Sequence, residues 1–268
     1  MEKAKESSSR LDVQGDLAKL LEEEASEIDW KAVIYRVPKG VMAFACRAAT
    51  NSMATPDNLA RWGRIVDPRC KLCTHSPCTL GHTLSSCTVA LNQERFNYRH
   101  DSVLLYLITA LSSTGLEGLK FFSDLKGWKT NGGSIPASIV ITGQRPDLVL
   151  VDERTTPHTV HLVELTVPWD STRSIEAARL RKTERYMSLT TDIKATGLKC
   201  HLHTLEVCAR GFICSRNRGT LTFLCHLAGF RKIRQFQQNC SKLAMLGSKA
   251  IYNARNSMEW TSGALLKP

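Results

Sequence analysis

The spacing of apolar residues changes partway along the chain, from a helical period to the short runs typical of strands. Residues 91–111 carry apolar side chains at helical intervals and predict one long helix. Beyond them, apolar runs at 148–151 and 160–167 are separated by a turn-rich segment that contains Pro157. Two such runs joined by a short turn predict a β-hairpin.

The same pattern predicts further helices around this hairpin and a third strand at residues 198–207. The other predicted helices cover residues 41–53, 55–63, 171–189, 220–230 and 233–253. From the hairpin onward the order is strand, strand, helix, strand, helix. This order predicts the α/β fold class, with a small mixed sheet flanked by helices and a small helical region before it.

Composition and charge narrow the class of protein. The 268 residues are 43% hydrophobic, which predicts a globular chain of one large or two small domains. The longest apolar run, residues 103–111, is well short of the roughly 20 residues of a membrane span. No membrane partner is expected, and the charged N-terminal stretch does not resemble a secretory signal.

The net charge of +11 is concentrated in the last third of the chain. Residues 171–268 hold 17 Lys and Arg against 5 Asp and Glu. Such a basic region suits a polyanion, with nucleic acid as the leading candidate. A generally basic protein without such a partner is the alternative.

A cysteine-rich segment carries the spacing of a zinc site. Cys70 and Cys73 form a Cys-x-x-Cys pair, and His82 and Cys87 follow as a second pair. Three thiolates and one imidazole complete a tetrahedral Zn²⁺ shell without an open position, so the predicted role is structural. His75 and Cys78 lie within the loop and are alternative ligands.

Two acids and a lysine form the candidate chemical site. Asp147 precedes the first hairpin strand, Glu164 lies in the second strand, and Lys182 lies on the following helix. Carboxylate oxygens that converge can bind Mg²⁺, and a nearby cation can stabilise charge developing on a phosphate. The alternatives are a turn residue at 147, a strand acid paired with an arginine, and one more cation on a basic helix.

Taken in order, these residues resemble a known family. The series is Cys70-x-x-Cys73, His82-x-x-x-x-Cys87, Arg99 with His100, Arg145-Pro146-Asp147, Glu164 and Lys182. It resembles the C-terminal region of the polyproteins of site-specific non-LTR retrotransposons. Residues 58–63 and 166–169 carry the same resemblance, which covers about residues 35–255.

The resemblance implies a zinc knuckle beside a restriction-like endonuclease of the PD-(D/E)xK type. Asp147 and Glu164 would then hold catalytic Mg²⁺, with Lys182 as the third catalytic residue. The motif usually places its lysine two residues after the second acid, where this chain has Thr166. The resemblance instead gives the role to Lys182, on the helix that follows the strand. Asp152 and Glu153 are weaker substitutes for the second acid. The expected nucleic-acid contacts are Arg99, His100, Arg145, Arg179, Arg181 and Arg185, with Asp101 beside them.

The resemblance also implies a domain organisation. The expected units are a flexible acidic segment (1–34), a helical linker region (35–69), the zinc knuckle (70–90), the endonuclease domain (91–255) and a C-terminal tail (256–268).

The implied function is the nicking of target DNA to prime reverse transcription. The implied partners are the DNA target, the element RNA and the reverse transcriptase portion of the same polyprotein, in the nucleus. No Asp-Asp pair occurs in the chain, so the Tyr-x-Asp-Asp core of a reverse transcriptase is absent from it. The alternatives are a catalytically inactive zinc-knuckle module that binds nucleic acid, or a decayed retroelement remnant.

Overall fold

The computed structural model describes residues 15–26, 28–130 and 134–268. Helices dominate its first half. They are α1 (Asp16–Glu23), α2 (Trp30–Ile34), α3 (Lys39–Ala49), α4 (Pro56–Arg61), α5 (Thr88–Asn92) and α6 (Arg95–Ser112), with a π-helical turn at His82–Ser86 before α5.

The second half contains the sheet. Its strands are β1 (Leu119–Ser123), β2 (Leu148–Asp152), β3 (Thr159–Thr166) and β4 (Lys199–Glu206). They lie in the order β1-β2-β3-β4, antiparallel except for the parallel pair β3 and β4. Helix α7 (Thr172–Ala195) connects that parallel pair. A short 3₁₀ turn at Ser215–Asn217 leads to α8 (Arg218–Leu227) and α9 (Ile233–Asn253).

The sheet is covered on both faces. On one face, α7 packs Tyr186, Leu189 and Ile193 against the side chains of β2 and β3. On the other face, α6 and α9 form the larger core with the alternate residues of the same strands. Every residue of β3 is buried as a result. The predicted α/β class with a small mixed sheet and flanking helices is therefore confirmed.

Three local features differ from the expectations. Strand β1 was not predicted, because its five residues leave Lys120 exposed and give too short a pattern. The helix predicted over 91–111 is interrupted at Glu94, whose φ of 58° separates α5 from α6. The expected flexible segment 1–34 includes residues 1–14 and 27, which lie outside the described residues. Its described part instead packs Leu17 and Leu20 of α1 into a core cluster.

No helix among the described residues combines the length and apolarity that crossing a membrane requires.

The contact between α6 and α9 depends on a glycine. A methyl group at Gly247 would lie 2.7 Å from Cγ of Arg99 and 3.1 Å from its Cα. Because the Cα belongs to the backbone of α6, the two helices would have to separate. We expect Gly247→Ala to lower the free energy of unfolding by about 1–3 kcal/mol in urea denaturation. Gly219→Ala is the control, since a methyl group there meets no atom within 4 Å beyond its own stretch of helix. Equal stability of the two variants would contradict this account.

Candidate functional site

The four predicted zinc ligands converge on one point. The ligand atoms of Cys70, Cys73, His82 and Cys87 all lie within 4.8 Å of one another. The sulfur atoms of Cys70 and Cys87 are 4.0 Å apart, and Cys73 Sγ is 3.3 Å from His82 Nε2. The edges of a tetrahedral Zn²⁺ shell with these ligands measure roughly 3.5–3.8 Å. The donor set and its spacing therefore fit Zn²⁺.

Two tight turns bring these ligands together. Thr74 has a φ of 61°, and its amide donates to Cys70 O across the first turn. In the π-helical turn, the amide of Cys87 donates to His82 O. Each turn holds one pair of ligands, so the short segment needs no core of its own to position them.

The alternative ligands lie outside the cluster. The His75 ring stacks on His82, with ring centroids 4.5 Å apart, and His75 is exposed. The Cys78 thiol contacts Thr83 Oγ1, and burial raises its pKa to about 12. Burial likewise raises the pKa of Cys87 to about 11, so zinc must displace a proton from that thiol at neutral pH.

The two predicted acids meet across the hairpin. The register pairs Leu148 with Val163, and one further step places Asp147 opposite Glu164. The Asp147 amide donates to Glu164 Oε1 at 3.1 Å, and the Leu165 amide donates to Asp147 Oδ2 at 2.9 Å. Alternation along the strands turns both acids toward the sheet face that α7 covers.

Lys182 of α7 lies between the two carboxylates. Its Nζ donates to Glu164 Oε2 at 2.6 Å and to Asp147 Oδ2 at 3.0 Å. Tyr186, one turn further along α7, is buried against the sheet, and its hydroxyl donates to Arg145 O. That contact fixes the turn before Asp147, so one face of α7 positions both the lysine and the acid.

Burial and mutual contact determine the charges of this cluster. The Glu164 side chain is fully buried, and burial together with Asp147 raises its pKa to about 8. Burial would also raise the pKa of Asp147, but His100 and Lys182 outweigh it and hold that pKa well below its usual range. Burial opposes the charge on Lys182, yet the two carboxylates raise its pKa.

His100 of α6 completes the cluster. Its Nε2 lies 3.3 Å from Asp147 Oδ2, and its Nδ1 lies 2.9 Å from Asp101 Oδ1. Burial lowers the pKa of His100, but the two aspartates raise it to about 10. His100 is therefore held as a cation that donates to Asp101 and to Asp147.

The arginines predicted to contact nucleic acid lie in two environments. Arg179, Arg181 and Arg185 are exposed on α7, and Arg145 is exposed beside Asp124. Arg99 is only 1% exposed and donates to Ser248 Oγ and Val167 O. Arg99 also lines the cleft beside Asp147, and its expected contact to nucleic acid stays a prediction.

The substitute acids lie away from the cluster. Asp152 ends β2 on the sheet face opposite to Asp147, where Arg154 holds its carboxylate at 2.7 Å. Glu153 pairs with Lys120 of β1. Among the acids considered, Glu164 is the one that reaches Asp147 and Lys182.

A groove connects Asp147 with the zinc-binding turn. A cleft of about 280 Å³ is lined by His100, Asp147 and Lys182. An adjoining cleft of about 330 Å³ reaches Ser85 and Ser86. The two clefts share their central wall, formed by Phe96, Arg99, Thr166, Val167 and Arg181. The segment between two zinc ligands therefore forms one side of the groove.

Trp169 holds the zinc-binding segment against the sheet domain. A methyl group at Gly81 would lie 3.3 Å from the Trp169 ring, and the Arg210 guanidinium lies 4.2 Å from its centroid. Neither Trp169 nor Arg210 is predicted to have this role from the sequence. The apolar residues 167–169, which follow strand β3 and end in Trp169, are the signal that could have indicated this contact.

Comparison with known proteins bears on the first part of the chain. Residues 17–93 match the protein family described as zinc-binding in reverse transcriptase. No curated protein matches the chain. The match includes Cys70, Cys73, His82 and Cys87, the four ligands that the structure brings together. Residues 17–93 therefore carry a zinc-binding domain of the kind found in reverse-transcriptase-related proteins.

Proposed function

We propose that the protein is a Mg²⁺-dependent endonuclease of the restriction-like, PD-(D/E)xK type that nicks DNA. The observation that carries this proposal is the convergence of Asp147 and Glu164 on Lys182 at the end of a hairpin. Asp147 Oδ2 and Glu164 Oε2 lie 3.0 Å and 2.6 Å from Lys182 Nζ. Two acids and a lysine that meet at one point are the groups that metal-assisted phosphodiester hydrolysis requires.

The donor set suits a hard divalent cation. Asp147 Oδ2 and Glu164 Oε2 already share one cation, the Lys182 ammonium, and both are the oxygen donors that Mg²⁺ prefers. When bound there, Mg²⁺ would supply a Lewis acid for the phosphate and lower the pKa of a coordinated water.

The chain's own residues would do the rest. Lys182 would offset the charge that develops on the phosphate, since its ammonium lies beside both carboxylates. His100 would keep Asp147 Oδ2 in place through its Nε2 contact. The neighbouring amide of Leu165, which donates to the same oxygen, limits the rotation of that carboxylate.

The exposed arginines of α7 would hold the DNA backbone. Arg181 lines the cleft beside Asp147, and Arg179 and Arg185 lie on the exposed side of the same helix. Because phosphate contacts carry no sequence information, this surface would position the strand without choosing the site.

Partners and location belong to the same proposal. We propose that the nick primes reverse transcription by another portion of the same polyprotein, since residues 17–93 match a zinc-binding domain of reverse transcriptases. The DNA target and the element RNA would then be bound in the nucleus.

A plasmid assay tests the proposed activity. The purified, zinc-loaded chain is incubated with supercoiled plasmid and Mg²⁺, Mn²⁺ or EDTA. Relaxation that depends on the divalent cation is the expected result. A folded protein that binds the plasmid without nicking it would instead indicate an inactive nucleic-acid-binding module.

Salt dependence tests the arginine surface. A variant with Arg179, Arg181 and Arg185 all changed to Gln is expected to bind duplex DNA less tightly. The slope of log affinity against log salt should fall by roughly 1–3, because each lost phosphate contact removes about 0.9. The control changes Arg231, Lys232 and Arg234, three exposed cations around the first residue of α9 that do not line the cleft. Equal changes in slope would mean that α7 is not the DNA-facing helix.

A further inference from the structure

Three histidines lie together on the sheet face opposite to the carboxylates. His161 of β3 is directly opposite His201 of the parallel strand β4, and His203 follows two positions later. Alternate residues of a strand share a face, so His201 and His203 are on the same side as His161. None of the three contributes to the zinc-binding cluster or the carboxylate site.

The imidazoles are close to the geometry of a metal site. His161 Nδ1 lies 3.2 Å from His203 Nε2. The ring centroid of His161 lies 5.5 Å from that of His201 and 5.4 Å from that of His203. Three imidazoles around one tetrahedral zinc ion have nitrogens about 3.4 Å apart and ring centroids about 5 Å apart. Two of the three pairs therefore nearly meet these distances.

The third pair is wider but can close. The centroids of His201 and His203 are 6.4 Å apart. His201 is exposed on β4, an outer strand of the described sheet, so rotation of its side chain meets little resistance. His161 is 4% exposed and fixed by its neighbours, which makes it the anchored ligand.

The surroundings favour neutral nitrogen ligands. Phe223 of α8 covers the cluster, with its ring 5.1 Å from His161 and 4.9 Å from His203. Asp152, which lies on the same sheet face as His161, has its carboxylate held by Arg154 through two side-chain hydrogen bonds. The cluster thus offers three imidazoles, an apolar cover and an open side at His201.

We propose that His161, His201 and His203 form a second metal site, which binds Zn²⁺ through three imidazoles and leaves the fourth position to water. Imidazole is a preferred ligand of Zn²⁺ and of Cu²⁺ and Ni²⁺, whereas Mg²⁺ prefers oxygen. The site would link β3 to β4 on the face that does not carry the carboxylates. Its assignment does not depend on the proposed nuclease activity.

Metal stoichiometry tests the site on the full chain. After equilibration with excess zinc buffered in the micromolar range and removal of unbound metal, the wild-type protein should hold about two zinc ions per chain. His201→Ala and His203→Ala should each hold about one, with the second ion bound roughly tenfold or more weakly in titration. His158→Ala, which changes another exposed histidine on the turn before β3, should keep two.

Cobalt separates the two sites. Thiolate-to-cobalt charge-transfer bands report the cysteine cluster, so they should be unchanged in His201→Ala while one cobalt equivalent without these bands is lost. His201 is exposed, so this variant remains folded even where His203→Ala does not. One zinc per wild-type chain, or two in His201→Ala, would overturn the proposal.

Discussion

Asp147→Asn is expected to reduce metal-dependent plasmid nicking by about 10³-fold or more while changing DNA affinity less than about twofold. The amide keeps the shape of the side chain and can still accept from the Leu165 amide, but it no longer offers a charged ligand. Removing the charge also leaves Glu164 as the sole acid bonded to Lys182. Plasmid relaxation and a binding titration on the same protein would measure both effects.

The matched control for Asp147→Asn is Asp152→Asn. Asp147 directly precedes β2 and Asp152 is the last residue of that strand, but Asp152 faces the other side of the sheet and is held by Arg154. Asp152→Asn should therefore nick at close to the wild-type rate. Lys182→Met, which removes the cation and keeps the aliphatic stem, should lose activity as Asp147→Asn does. Full activity in Asp147→Asn or in Lys182→Met would exclude the proposed site.

Zinc removal is expected to have the largest effect on stability. The core around the ligands is small, with Cys70, Cys78, Cys87 and Ala90 as its buried apolar members. Structural zinc contributes an apparent ~10–16 kcal/mol in small zinc-binding peptides, which far exceeds what such a core can supply. Cys73→Ser, or treatment with a strong chelator, should therefore lower Tm by at least about 10 °C.

Limited proteolysis would locate the effect of zinc. New cleavage sites are expected between residues 62 and 94, where α5 and the π-helical turn are the principal regular elements. Cys46→Ser is the control, because this exposed cysteine lies outside the cluster. An unchanged Tm in Cys73→Ser, with no new cleavage, would mean that the fold of this segment does not depend on the metal.

Short-range sequence patterns were enough to predict that the two acids and the lysine lie close together. The alternation of apolar residues sets the hairpin, and the hairpin brings Asp147 opposite Glu164. The separation of four residues between Lys182 and Tyr186 then places the lysine on the buried side of α7. Each step uses only the period of a strand or a helix, which is why sequence alone could assemble these three residues.

Contacts between residues far apart in the sequence could not be predicted from these periods. Arg99 looks like a surface cation in its own helix, but Ser248 and Gly247, about 150 positions later, enclose it. Trp169 is likewise positioned by Gly81 and Arg210, which no local pattern connects. Strand β1 gains its place from pairing with β2 and not from its own sequence. These features depend on which surfaces meet, and periodicity does not contain that information.

The groove wall formed by Ser85 and Ser86 has a consequence for ligand binding. These serines lie between the zinc ligands His82 and Cys87, so the metal that orders this turn also shapes the far end of the groove. Zinc and a nucleic acid strand would then be linked ligands of one surface. By thermodynamic reciprocity, a nucleic acid that requires the ordered wall must raise the affinity for zinc by the same factor by which zinc raises the affinity for the nucleic acid.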